Sequence, residues 1–167
     1  IHGRISIRPG EQKMNDNITI STFQLFQLFP DSESARLYLE ARLWPNGVKC
    51  PICSGGERIG KRPIGYRCHT CNEDFSVRTG TVMERSHIGL REWIAAMVLV
   101  AQNPEIPTES FAREIGTTQK TAWLVRKRLH AAFGDSLLEN IASDDNFRVV
   151  GKFPAYRVGR DGTVWTR

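Results

Sequence analysis

The sequence has no apolar run approaching the roughly 18 residues of a membrane-spanning helix. It also has no basic start leading through an apolar stretch to a small-residue cleavage site. The first absence argues against a helical membrane protein and the second against secretion, so we expect a cytoplasmic protein in a reducing compartment. Cysteine is scarce, with 4 in 167 residues, and so is histidine, also 4. Acid is absent from Thr118 to Phe133, a stretch that nonetheless holds Lys120, Arg126, Lys127 and Arg128.

What is present is otherwise ordinary: 40% hydrophobic and 25% charged residues suit a water-soluble chain of one domain or a few small modules. The net charge of +5 permits nucleic-acid binding without proving it. Its placement says more. Ala41 to Gly80 carries 7 Lys/Arg against 3 Asp/Glu, whereas Asp31, Glu33 and Glu40 make the preceding stretch acidic.

All four cysteines fall in Cys50-Pro51-Ile52-Cys53 and Cys68-His69-Thr70-Cys71. Two C-x-x-C pairs separated by a glycine-containing loop supply four thiolates for one tetrahedral zinc ion. The other readings are four free buried thiols or two disulfides, and disulfides belong to oxidising compartments. Four cysteines close the shell, leaving no position for water, so the zinc is expected to be structural. His69 lies inside the second knuckle and is read as a surface side chain. A segment of about 30 residues is too short to fold without such help, and four thiolates on zinc contribute on the order of 10 kcal/mol. Val48, Ile52, Ile64, Tyr66, Phe75 and Val77 are the expected apolar skin of this zinc ribbon.

Elsewhere the pattern is helical. Asp31 or Ser32 caps a helix whose apolar side is Ala35, Leu37, Leu39 and Leu43, and Trp44-Pro45-Asn46-Gly47 stops it. Leu90 to Gln102 is the most apolar helix. Thr108, as a cap, opens a short helix to Ile115; Gly116-Thr117 turns the chain; Thr118 to Phe133 is a longer basic helix with Ala122, Val125, Leu129 and Ala132 on one stripe. Short helix, glycine turn and basic helix have the form of a helix-turn-helix. In that reading Thr118, Gln119, Lys120, Trp123, Arg126, Lys127 and Arg128 are the candidate DNA-binding residues. Gln119 and Lys120 reach base edges, and Arg126, Lys127 and Arg128 reach phosphates. For Trp123, packing inside the helical bundle is the favoured role. An ordinary helical hairpin with solvated cations is the alternative.

With these parts in place, the chain from about Phe26 to Phe133 resembles zinc-ribbon insertion-sequence transposases, the IS fifteen-ninety-five group. The resemblance is carried by Phe29-Pro30-Asp31, Tyr38-Leu39-Glu40, Trp44-Pro45-Asn46-Gly47, both cysteine pairs, Phe75-Ser76-Val77-Arg78-Thr79-Gly80-Thr81, Trp93 and Glu114-Ile115-Gly116 to Trp123. It implies recognition of transposon ends, with double-stranded DNA and its terminal repeat as partner, together with a full-length transposase or a second copy. It also implies a catalytic half with three separated acidic residues. The 34 residues after Phe133 are too few for one, and the adjacent Asp144-Asp145 do not match it, so no strand cleavage is expected of this chain. Phe147 to Trp165, with an Asp161-Gly162 turn, resembles the modular DNA-binding motif attached to HNH homing endonucleases, or is a plain hairpin.

The expected fold class is therefore α+β in small modules: a zinc ribbon, a helical bundle with a helix-turn-helix, then a short C-terminal β-hairpin. The boundaries read as a disordered leader over 1–25 with Met14 the natural start, an N-terminal helix over 26–47, the ribbon over 48–82, the helical domain over 86–134, a linker over 135–146 and the hairpin over 147–167. The expected function is the DNA-binding part of an insertion-sequence transposase. A transcription regulator and the targeting part of an HNH-type endonuclease are the competing readings.

Overall fold

The structure, a computed structural model, describes residues 20–133, together with 156–158 and 164–166. Residues 1–19, the expected linker and most of the expected C-terminal hairpin lie outside the described residues.

Two capped helices begin the described chain. Helix α1 (Thr22–Leu28) starts inside the stretch expected to be leader. Ser21 caps it in a reciprocal box with Gln24, each side chain meeting the other's backbone N–H. Helix α2 (Ser32–Leu43) repeats the device. The Ser34 N–H donates to Asp31 Oδ1 at 2.7 Å, and this bond holds the Asp31 carboxyl below its ordinary range. Of the expected apolar side of α2, Ala35 and Leu39 are buried, whereas Leu37 stays exposed.

The ribbon is a three-stranded antiparallel sheet in the order β1 (Ile59–Arg62), β2 (Gly65–Cys68) and β3 (Asp74–Phe75). Its first hairpin turns at Gly65, whose φ of +98° excludes most side chains; a Cβ there would stand 2.4 Å from the Phe75 carbonyl oxygen. Tyr66 pairs with Phe75 across the second ladder, and their rings stack with centroids 5.7 Å apart. Trp44 meets both edge-on, at 5.7 and 5.8 Å. These aromatics form the ribbon's apolar interior with Val48 and Ile59. Ile52 and Ile64, expected there, are exposed, and Val77 belongs to the helical core.

Three further helices follow: α3 (Leu90–Gln102), α4 (Thr108–Glu114) and α5 (Gln119–Phe133). The cap of α4 is Pro107, not Thr108, which occupies the first helical position. Helix α3 is buried almost all round, with Trp93, Ile94, Ala95, Ala96, Met97 and Val98 inaccessible, as befits a helix enclosed by others. Against it pack Leu25, Phe29, Ala35 and Leu39, then Phe111, Ala112 and Ile115 of the α4 segment, then Ala122, Val125 and Leu129 of α5. Each of the larger side chains so buried contributes roughly 1.5–3 kcal/mol.

The expected break between ribbon and helices is not a break in packing. Val77, Val82 and Met83 leave the ribbon and enter the same core as α3. Trp44 packs against both this core and the ribbon's own. The intervening residues are held by arginine: Arg78 donates to the Ser86 and Ile88 carbonyls, and Arg128, from α5, to those of Val82 and Glu84. Near the C-terminus, β4 (Tyr156–Val158) pairs antiparallel with β5 (Val164–Thr166), Val158 opposite Val164.

Candidate metal centre and nucleic-acid face

The two knuckles are built alike. In each, the first cysteine's N–H donates five residues ahead, Cys50 to the Gly55 carbonyl at 2.8 Å and Cys68 to that of Glu73 at 2.9 Å. In each, the residue after the second cysteine is left-handed, Ser54 at φ 62° and Asn72 at φ 59°. In each, an amide two residues on reaches the second sulfur, Gly55 to Cys53 and Glu73 to Cys71.

This repeat converges four sulfurs on one point. Cys50 Sγ lies 3.7 Å from Cys71 Sγ, and Cys53 Sγ 3.6 Å from Cys68 Sγ. All four ligand atoms fall within 4.8 Å of one another. A zinc tetrahedron with Zn–S bonds of about 2.3 Å has S···S edges of about 3.8 Å. The sulfurs are therefore spaced for one zinc ion, and too far apart for disulfides, which need about 2.05 Å. The cofactor is a structural zinc ion in a closed four-cysteine shell. His69 is exposed and outside the cluster.

Amides and burial divide the thiols before metal arrives. The Cys71 N–H, helped by that of Thr70, draws the Cys68 thiol down to about 6. Burial pushes the Cys71 thiol up to about 12 against the Glu73 amide. The Gly55 amide pulls on Cys53, but burial and the Cys68 thiol leave it raised. Zinc replaces these protons, since only thiolates ligate.

The second candidate surface is on α5. Between α4 and α5 the chain reverses at Gly116, φ +65°, with the Thr117 N–H bonded to the Ala112 carbonyl at 2.9 Å. Thr118 Oγ1 accepts from the Thr121 N–H and so caps α5. Thr118, Gln119, Lys120 and Lys127 are exposed. Trp123 is also exposed, at 52%, with Lys127 Nζ 5.3 Å from its ring centroid, so the expected packing inside the bundle is not what occurs. Arg126 and Arg128 are corrections. Arg126 donates to the Ile106 carbonyl and lies over the Phe111 ring. Arg128 spans to the 82–84 backbone, and burial lowers its pKa from the ordinary arginine value. Both guanidiniums are spent on the fold, leaving Lys120 and Lys127 as the outward cations of the expected set.

Residues 30–74 match the transposase zinc-ribbon domain. That stretch runs from the cap of α2 through all four cysteines to the start of β3. Over 101 residues the chain is 33% identical to an "uncharacterized protein in transposable element ISH50" of Halobacterium salinarum, an alignment covering 56% of this chain and 32% of that protein. The chain thus spans about a third of the relative's length. No solved structure matches it.

Within this transposase-type zinc ribbon, several working residues give no signal in a spacing pattern. The left-handed Ser54 and Asn72 are polar residues in a loop, and only the Asn hints at positive φ. Glu40 accepts from the Tyr66 hydroxyl at 3.0 Å while holding Arg36 from the other side. This contact joins α2 to β2 across 26 residues. The periodicity of α2 shows Glu40 only as a polar position.

Proposed function

We propose that this chain is the DNA-binding part of an insertion-sequence transposase, recognising transposon ends through a helix-turn-helix formed by α4 and α5. The match of residues 30–74 to a transposase zinc ribbon is the observation that carries this reading. In support, α5 presents Thr118, Gln119 and Lys120 at its exposed first turn, where a recognition helix meets base edges. Gln119 suits adenine and Lys120 guanine in the major groove, while Lys127 suits phosphate. The zinc ribbon braces these helices through Trp44 and Val77. The partner is double-stranded DNA, the terminal repeat of the element, with a catalytic transposase or a second copy completing the assembly.

The reading is one of binding. Among the described residues, the four cysteines are the one group of three or more metal-ligating side chains brought together, and their shell is closed. Two-metal phosphoryl transfer needs converging carboxylates that leave room for substrate.

Fluorescence anisotropy with the repeats flanking the chain's own gene, against a scrambled duplex, tests this. The parent should prefer the repeat, and Lys120→Ala should lose about 1–3 kcal/mol of that preference if the contact is bidentate or comparable. Equal binding of both duplexes by parent and variant would remove the helix-turn-helix assignment. Preference for the gene's own promoter over the repeat would instead favour the regulator.

A further inference from the structure

The ribbon's first hairpin has two unlike faces. Residues opposite each other in an antiparallel pair share a face. Lys61 and Tyr66 are opposite, as are Tyr66 and Phe75, and this face turns its aromatics to Trp44. The other face carries Arg62, opposite Gly65, and Arg67, opposite both Gly60 and Asp74. By strand alternation Arg58 falls on this second face. A Cβ on Gly60 would stand 2.9 Å from His69 Nε2, which places the imidazole there too. The outer face thus carries Arg58, Arg62 and Arg67 against one carboxylate.

That carboxylate orients more than it neutralises. Asp74 Oδ1 lies 3.2 Å from Arg67 Nη1 and 3.9 Å from Arg62 Nε. Each guanidinium has further N–H donors free for a second anion, and Arg62 remains 53% exposed. At the tip stand Pro63 and Ile64. Ile64 is 89% exposed, the most exposed large hydrophobic among the described residues, on a turn fixed by Gly65. An apolar pair between cations, with no hydrogen-bonding side chain of its own, is unsuited to reading base edges but suited to wedging between base steps.

We propose that this hairpin is a second duplex-DNA site: Arg58, Arg62 and Arg67 take backbone phosphates, and Ile64 enters the adjacent minor groove and kinks the duplex. The assignment rests on the DNA-binding reading above but uses different residues, so the two fail separately.

The test uses the full chain, zinc-loaded, on the terminal-repeat duplex labelled at both ends for energy transfer. The parent should bring the ends closer, by a bend within the roughly 20–90° of side-chain wedges. Ile64→Ser should straighten the duplex. Arg58→Ala and Arg62→Ala should each lower the slope of log affinity on log salt by about 0.9. Lys120→Ala should keep the bend and lose sequence preference. Zinc content and thermal midpoint report folding; Ile64 and Arg58 are exposed, and no other side chain packs on Arg58, so these two variants carry the test even if Arg62→Ala unfolds. Parental bend and slope in both, with Lys120→Ala still losing preference, overturns the hairpin site alone. Absence of any duplex binding by the parent overturns both readings.

Discussion

Ser54 and Asn72 hold the left-handed conformation that lets each knuckle turn its sulfurs inward. A left-handed L-residue costs roughly 1–2 kcal/mol, less where Asn bonds locally. Ser54→Gly should therefore raise the stability of the zinc-loaded chain by up to about 1 kcal/mol, more than Asn72→Gly, as read from chemical denaturation. The cysteines that these residues aim are legible from spacing, because four thiolates within two short knuckles leave zinc few rivals. Their aim is not legible, since a loop serine looks the same in any backbone conformation. Acid should release the metal in a defined direction. The metal-free Cys68 thiol sits at about 6, below its unfolded value, so its thiolate stabilises the folded site above that unfolded value and the contribution is lost as pH falls through about 6. Zinc competes with the proton and shifts the loss lower still. Zinc release followed with a chromogenic chelator should thus be complete only well below pH 6; release beginning near pH 8 would contradict it.

At the scale of elements, the helices follow from their sequence signals and the connection between ribbon and α3 does not. Leu90 to Gln102 has apolar side chains throughout, and a buried helix results. Residues 77–88 lack periodicity, so their order comes from outside. Arg78 and Arg128 serve their carbonyls, Trp93 Nε1 donates to Ser86 Oγ at 3.0 Å, and Thr81 Oγ1 donates back to the Arg78 carbonyl at 2.8 Å. Charge alone put Arg128 on the DNA face, because a sequence cannot tell a cation that faces solvent from one that faces a neighbouring loop 44 residues away. Removing it should leave two partly buried carbonyls without their cation, and Arg128→Ala should cost about 1.5–3 kcal/mol of stability. Lys120→Ala, on an exposed site, should cost within about 0.5 kcal/mol. Thermal melts of the two variants side by side distinguish a structural arginine from a recognition lysine.

At the scale of the molecule, zinc and helices share one cooperative unit. Trp44 touches both cores, and Val77, Val82 and Met83 carry the ribbon's exit into the bundle. Trp44→Ala should cost about 3–5 kcal/mol and weaken zinc retention with it. Chelation should lower the melting of the helices along with that of the ribbon, seen as matching shifts in far-ultraviolet circular dichroism and in the emission of buried Trp93. Two separate transitions, with the helical one unmoved by chelator, would count against a shared core.

The same packing bears on how such a chain is inherited. The stretch that matches other transposases closes at residue 74, before Val77, Val82 and Met83 reach their places around α3. A recombination event that exchanged only the matched stretch would deliver the metal site while leaving its three anchors behind, shaped for a different donor. Lineages should therefore trade this ribbon successfully when the crossover falls beyond Met83, or when the recipient already carries complementary residues around α3.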